Sequence, residues 1–343
     1  LSKGLTSLGN DCQNSIYFSE NEFTRDNQFY HSRTFLPFNF RGRESLKEYL
    51  NKFVSEQSLK KGTYDIFHPT YYDTYFLKSN FSSRPFVVTF YDLIHEKFSE
   101  KYPDLLTNMD EVISSRKTLL KRATCVIAIS NSTKQDIMDY YGVDGDRIQV
   151  THLASSMTAS APGQGTIWGD YILFVGKRQA YKNFTGFIEA VQPLLKREKN
   201  LKVVCAGGGG FSREELATLN KLGIAEQVVQ VAIDDTHLAK LYSNALFFVF
   251  PSLYEGFGIP VLEAFNCGCP AILSNVSSLP EVGGDAALYV DPDNRDDILR
   301  KCEMFYYDPA LRAAYREKGT KQSKEFSWNN VAAQTLDIYQ SAL

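Results

Sequence analysis

The sequence has almost no net excess of either charge: 37 Lys and Arg stand against 40 Asp and Glu, a formal net charge of −3. Nucleic acid is therefore excluded as the main partner, because neutralising many phosphates needs a basic excess. Long hydrophobic runs are missing too. The apolar stretch at 245–250 is about a third of the roughly 20 residues that cross a bilayer as a helix. The N-terminal segment lacks the charged, apolar and small-residue succession of a secretory leader. Cysteine is scarce, six in 343 residues. Cys12, Cys125, Cys205, Cys267, Cys269 and Cys302 form neither a CxxC pair nor a Cys/His set with metal spacing. They read as reduced, mostly buried thiols of a cytoplasmic protein, and no metal site is expected.

What the chain does have is material for an interior. Hydrophobic residues make up 43%, including 24 Phe and 20 Tyr, enough to offset the entropy of ordering and to exclude global disorder. A length of 343 residues suits two domains of roughly 150 to 170 residues rather than one core. Short apolar, β-branched runs alternate with segments of helical period, the pattern of βαβ units around parallel sheets. In the first half, strands are predicted at 64–68, 86–90, 125–129 and 148–152, with helices at 44–59, 109–121 and 132–141. Residues 154–169, ASSMTASAPGQGTIWG, are small, polar and turn-rich and read as a linker. Strands then follow at 171–175, 202–206, 227–231, 246–250, 271–273 and 287–290, with helices such as 184–195 and 213–222. The reading is thus a first domain over 1–160 and a second over 161–327. An amphipathic helix at 328–343 is free to pack on either. Ligands of open parallel sheets sit outside the carboxyl ends of the strands, so the loops there are where chemistry is sought.

The most informative loop is PSLYEGFGIPVLEAFNCGCP at 251–270. A strand leads into Gly256 and Gly258, and Pro260 stands where a helix begins. Amides and the positive end of the helix dipole favour an anion such as a diphosphate. Glu255 and Glu263 bracket that point, and carboxylates beside a phosphate are best matched to sugar and ribose hydroxyls. An ordinary strand–loop–helix turn has the same spacing. Lys177, Arg178 and Lys182 cluster after another strand, a charge suited to a departing diphosphate or to a solvated turn. The glycine run from Gly207 and Gly208 onward lets backbone approach a ligand closely, as any flexible turn does. In the first half, Asp92 and His95 follow a buried strand and are candidates for contact with a reacting sugar, although an Asp and a His three apart are also a common structural pair.

Together these segments resemble glycosyltransferase family 4. The run from Tyr254 to Ala264, with Glu255 and Glu263 eight positions apart, matches that family's signature. YDIFHPTYY, VVTFYDLIHEKF, VIAISNSTKQDI, LFVGKRQAYKN, SSLPEV and the terminal FSW resemble its segments in its order. The resemblance implies a GT-B fold, two Rossmann-like doubly wound domains facing a central cleft, with the last helix crossing back to the first domain. It also implies retention of anomeric configuration with no bound metal or other cofactor. Glu255 would hold donor-sugar hydroxyls, amides of Gly256, Phe257 and Gly258 would meet the sugar and diphosphate, Glu263 the ribose, Lys182 the diphosphate, and the loop at Ile233 the nucleobase. Many members have Arg where Lys177 stands, and many have His where Tyr91 stands. The sugar-contacting role there falls to Tyr91 or to His95. The resemblance further implies a first strand and a glycine loop ahead of the helix at the start of this sequence, and these are expected to be missing from it.

The expected reaction moves a hexose, mannose or similar, from a nucleotide-diphosphate sugar to a saccharide or lipid-linked acceptor in bacterial-type surface polysaccharide or lipopolysaccharide assembly. GDP-mannose or a UDP-hexose is the expected donor. A lipid-linked acceptor would bring peripheral contact with the inner membrane face, for which Phe38, Phe40, Arg41, Arg43 and Lys47 are candidates. Rival readings are a nucleotide-sugar epimerase, a phosphorylase, or a non-catalytic sugar-binding protein. An epimerase would turn over donor with no acceptor present, and a binding protein would release no nucleotide.

Overall fold

The computed structural model describes residues 1–20, 32–77, 84–102, 109–159, 168–178 and 180–343. Of the linker read at 154–169, residues 160–167 lie outside the described residues.

Two parallel sheets form. β1 (Val87–Phe90), β2 (Cys125–Ala128) and β3 (Ile148–Val150) pair in that order, with Val88 opposite Val126 and Ile127 opposite Gln149. β4 (Tyr171–Val175), β5 (Lys202–Ala206), β6 (Val228–Val231), β7 (Phe247–Phe250), β8 (Ala271–Ser274) and β9 (Ala287–Val290) pair in the order β6-β5-β4-β7-β8-β9. Strand order thus reverses between β4 and β7, the doubly wound arrangement whose crevice lies at the carboxyl ends of those two strands. The sequences YILFV and FFVF are buried along their whole length, because helices cover both faces of the sheet. Alternation divides β4 between two cores: Tyr171, Leu173 and Val175 face one, Ile172 and Phe174 the other.

The strand predicted at 64–68 is reduced to one parallel bridge, Phe67 to Phe86. Two prolines explain the difference. Pro69 and Pro85 flank the bridge and neither has an N–H with which to extend a ladder. The thiols behave as packing groups: Cys205, Cys267, Cys269 and Cys302 are buried and unbridged, and burial pushes the Cys205 thiol up to about 12.

The last helix, Trp328–Ala342, starts on a Ser327 cap and lies on the first sheet. Ile338 packs with Val87 and Ile127. It also meets the helix Ser2–Ser7 so closely that a Cβ on Gly4 would sit 2.5 Å from the Ala332 methyl. His68 completes this joint, with Nδ1 2.6 Å from Tyr339 Oη and Nε2 2.8 Å from Thr89 Oγ1. Burial lowers the His68 pKa from 6.5 to about 4. The unfolded chain therefore binds the proton first as pH falls, and stability conferred by the neutral ring is lost between about pH 6.5 and 4, by at most about 1.4 kcal/mol per pH unit. Urea unfolding at pH 7, 6 and 5 should show this decline, and H68Q should flatten it; an equal slope in the variant assigns the acid sensitivity elsewhere.

Candidate active site

β7 delivers the chain to the loop 251–258, and the helix Ile259–Asn266 follows with Pro260 as its second residue. Gly258 caps it in left-handed backbone, φ +100, where a Cβ would stand 2.8 Å from Leu279 Cδ2. No side chain caps this N-terminus. Gly256 is tighter still: a Cβ there would be 1.9 Å from the Tyr91 carbonyl oxygen and 2.9 Å from Asp92 Cβ. The loop after β7 thus touches the loop after β1, and the two sheets meet at this point.

Hydrogen bonds hold the contact. Ser130 Oγ donates to the Gly256 carbonyl at 2.7 Å, and Thr133 Oγ1 approaches the same oxygen at 3.2 Å. Tyr254 Oη donates to Asp136 Oδ2 at 2.7 Å and accepts from the Leu93 amide at 3.3 Å. Glu281 closes the seam further out, accepting from the amide and side chain of Asn131 at 2.9 and 2.7 Å, with His152 Nε2 2.5 Å away. Burial alone would raise the Glu281 carboxyl, but His152 and Asn131 hold it below its ordinary value.

Glu255 and Lys182 meet here. Lys182 Nζ lies 2.6 Å from Glu255 Oε1, and the two side chains are 15% and 10% exposed. The ammonium also stands 4.9 Å from the centre of the Phe250 ring, a cation–π contact. Glu255 is steadied from the far side: its amide donates to Ser277 Oγ at 2.9 Å, and Ser278 Oγ is 2.9 Å from its carbonyl. Ser277 adopts φ +49, a left-handed conformation rare for a non-glycine residue. Tyr181, next to Lys182, is raised to about 12 by burial, Glu255 and Asp92.

The other residues read from the sequence as donor-binding form an adjoining group. Gly207 faces Ile233 at van der Waals distance, and Gly208 lies against Gly176 and Lys177. Lys177 is exposed. Glu263 accepts from Tyr242 Oη at 3.2 Å. The Phe257 side chain belongs to the core, so only its backbone is available at the loop. Arg178 does not join Lys177 and Lys182 at the cleft. Its guanidinium turns to Glu215 and to carbonyls of the glycine run, a correction to the three-cation cluster read from the sequence.

On the first-half side, Asp92 Oδ1 accepts from the Ile94 amide at 3.1 Å and stands 3.9 Å from Arg116 Nη2. Nδ1 of His95 is buried without a partner among the described residues, and burial with Arg116 nearby lowers its pKa. Behind them lies an ion pair that sequence reasoning missed. Arg116 Nη1 reaches both Glu96 oxygens at 2.8 and 2.6 Å, with the two side chains 3% and 0% exposed. Arg116 also stacks 4.2 Å from the Tyr72 ring, and Tyr72 Oη accepts from the Tyr91 amide at 2.9 Å. Glu281 was likewise visible only as part of SSLPEV. Neither carries a local signal, since each partner lies 20 or more residues away.

Cations, amides and carboxylates side by side suit a ligand that is anionic at one end and rich in hydroxyls at the other. Two family models match: Glycosyltransferase Family 4 over residues 1–154 and Glycosyl transferases group 1 over 169–322. The O-antigen chain mannosyltransferase B of Escherichia coli is 33% identical over 271 residues, 74% of this chain and 70% of the relative. Sucrose-phosphate synthase from Thermosynechococcus elongatus superposes with a TM-score of 0.75 at 19% identity, covering 99% of this chain and 91% of its own. Anabaena HepE, in complex with UDP and glucose, gives a TM-score of 0.70 at 14% identity, over 91% and 87%. The two matched models along the chain, the relative one-third identical, and the paired parallel sheets place this enzyme in glycosyltransferase family 4, on the GT-B fold.

Proposed function

We propose that the protein transfers a hexose, mannose or a close relative, from a nucleotide-diphosphate donor to a saccharide or lipid-linked acceptor in surface polysaccharide or lipopolysaccharide assembly. The observation that carries this reading is the Lys182–Glu255 pair, 2.6 Å apart at the mouth of a helix with no side-chain cap. Diphosphate exchanges for Glu255 at the ammonium while sugar hydroxyls exchange for Lys182 at the carboxylate, so one ligand satisfies both charges. The mannosyltransferase relative from Escherichia coli favours mannose as the sugar, for which GDP-mannose is the proposed donor; the neighbour holding UDP and glucose favours a UDP-hexose.

Charge development decides the mechanism. As the sugar–phosphate bond breaks, positive charge grows on the anomeric carbon and negative charge on the diphosphate. Lys177, Lys182 and the amides of Gly256 to Ile259 stabilise the leaving anion more than the intact donor, which is what accelerates transfer. A retaining, same-face substitution fits the residues best. In it the departing phosphate accepts the acceptor proton, and Asp92, whose Cβ packs against Gly256 of this loop, supports the sugar from the other side. His95 or Tyr91 stands next to that carbon.

The substitution E255Q, in which the amide oxygen still accepts from Lys182 but no longer balances its charge, should cost at most about 1–3 kcal/mol of stability and lower turnover about a hundredfold or more. K182A should lower it comparably and also cost about 1–3 kcal/mol of stability, because it leaves the Glu255 carboxylate unpaired. Wild-type turnover in either variant removes the assignment. Product nucleotide and transferred sugar should both be measured, since nucleotide release without an acceptor product points to hydrolysis. Excess chelator should leave turnover intact, lysines rather than a bound cation carrying the positive charge; complete loss restored by a divalent ion sinks that part.

A lipid-linked acceptor calls for contact with the inner membrane face. Phe38 and Phe40 are 59% and 38% exposed with rings 6.0 Å apart, whereas Arg43 and Lys47 are taken up by Glu20 and Glu44. The aromatic pair is thus the proposed contact. Co-sedimentation with anionic vesicles should weaken in a Phe38→Ser, Phe40→Ser variant, and unchanged binding there places the contact elsewhere.

A further inference from the structure

After β4 the chain turns through Gly176, φ +113, into Lys177 and Arg178. Beside it β5 ends at Ala206, and Gly207, Gly208 and Gly209 follow with φ of +81, +73 and +72. Three successive left-handed residues are sterically free for glycine and entropically expensive, so an ordered run needs something to hold it. Arg178 supplies the hold. Its Nη1 donates to the Gly207 carbonyl at 3.2 Å, and its Nη2 donates to the carbonyls of Gly209 and Gly210, both at 2.9 Å. The guanidinium lies 4.7 Å from the Phe211 ring. Nε donates to Glu215 Oε1 at 2.7 Å, and the Arg178 side chain is 3% exposed.

The loop also packs on other residues read as donor-binding: Gly208 abuts the Gly176 carbonyl, Lys177 and the Arg178 guanidinium itself, and Gly207 abuts Ile233. In a planar trans peptide the N–H points opposite to the C=O. Carbonyls drawn to Arg178 therefore turn the amides of Gly208, Gly210 and Phe211 away from it. Among the described residues none of those amides has an acceptor.

We propose that Arg178 is a positioning residue: balanced by Glu215, its guanidinium gathers the glycine carbonyls and fixes the loop that lines the donor side of the cleft, without itself touching the diphosphate. This rests on the donor-site reading above. Glu215 serves a second purpose, its Oε2 accepting from the Ser212 amide at 2.6 Å in a capping box that starts the helix Arg213–Leu222. Glutamine serves a capping box as well, so E215Q removes the charge and keeps the helix start.

The test compares wild type, R178K, R178Q, E215Q and the double variant R178Q/E215Q. Binding of UDP and of GDP is measured by calorimetry, donor KM and kcat by turnover, and amide exchange over 207–211 by mass spectrometry. Each single variant should weaken nucleotide binding and raise donor KM about tenfold, with a smaller change in kcat, and the double variant should be no worse than R178Q, as members of one network are not additive. Faster exchange should be confined to the glycine loop. If E215Q binds nucleotide like wild type while R178Q does not, Arg178 touches the nucleotide directly and the proposal is overturned. Unchanged binding and exchange in every variant overturns it too. Should R178Q fail to fold, R178K and E215Q decide. Wild-type protein that binds neither nucleotide and transfers no sugar sinks the donor-site reading itself, an outcome distinct from a loss of effect in the variants alone.

Discussion

One contact without a side chain organises the cleft. Gly256 lies against the Tyr91 carbonyl and Asp92 at a distance that admits no Cβ, and its own carbonyl is approached by Ser130 and Thr133, both fully buried. A buried carbonyl left without a donor costs about 1–3 kcal/mol, so these two hydroxyls fix the orientation of the Gly256–Phe257 peptide as well as satisfying it. The residue before this peptide is Glu255, and the helix with the uncapped N-terminus begins three residues after Gly256. The Glu255 carboxylate, the amides at the start of this helix and the first-half loop carrying Asp92 therefore share one joint. Movement of one sheet relative to the other disturbs all three together.

The near-neutral composition conceals a set of buried pairs rather than an absence of strong fields. Arg116–Glu96 braces the loop of Asp92, Lys182–Glu255 occupies the proposed reaction point, and Arg178–Glu215 holds the glycine run. Desolvation makes each pair a doubtful source of stability compared with apolar packing, yet breaking one partner is costly. Such pairs are better understood as fixing geometry. Arg116 illustrates this: with Glu96, Tyr72 and Asp92 around it, it links a buried charge to the Tyr91 amide through a tyrosine hydroxyl, and so positions backbone that faces the cleft.

Much of the architecture was legible in the sequence because burial on both sheet faces leaves continuous apolar runs. YILFV, KVVCA and the strand 287–290 coincide with their predicted bounds. The failure at 64–68 has the same logic, since alternation registers hydrophobicity but not the donors that Pro69 and Pro85 lack. In the candidate site, motif spacing singled out Glu255, Lys182, Gly207, Gly208 and Asp92, all of which the structure places in the connections that follow strands. It could not orient a side chain. Arg178 looked like one cation among three because sequence adjacency to Lys177 hides the fact that its partner, Glu215, stands 37 positions away.

That limit also explains why the cationic patch is smaller than its residue count. A lysine or arginine acts on a ligand only with the charge its neighbours leave it. Arg178 is neutralised by Glu215, and Lys182 by Glu255, so Lys177 is the exposed member of the group. On the proposed reading, a diphosphate alone gains Lys182 only by stranding the Glu255 carboxylate, 10% exposed, against two added negative charges. A diphosphate carrying a sugar avoids that cost, because hydroxyls donate to Glu255 as the phosphate displaces it. The pair thus favours the complete donor over its spent nucleotide, and the same exchange that secures substrate binding weakens the hold on product once the sugar has left.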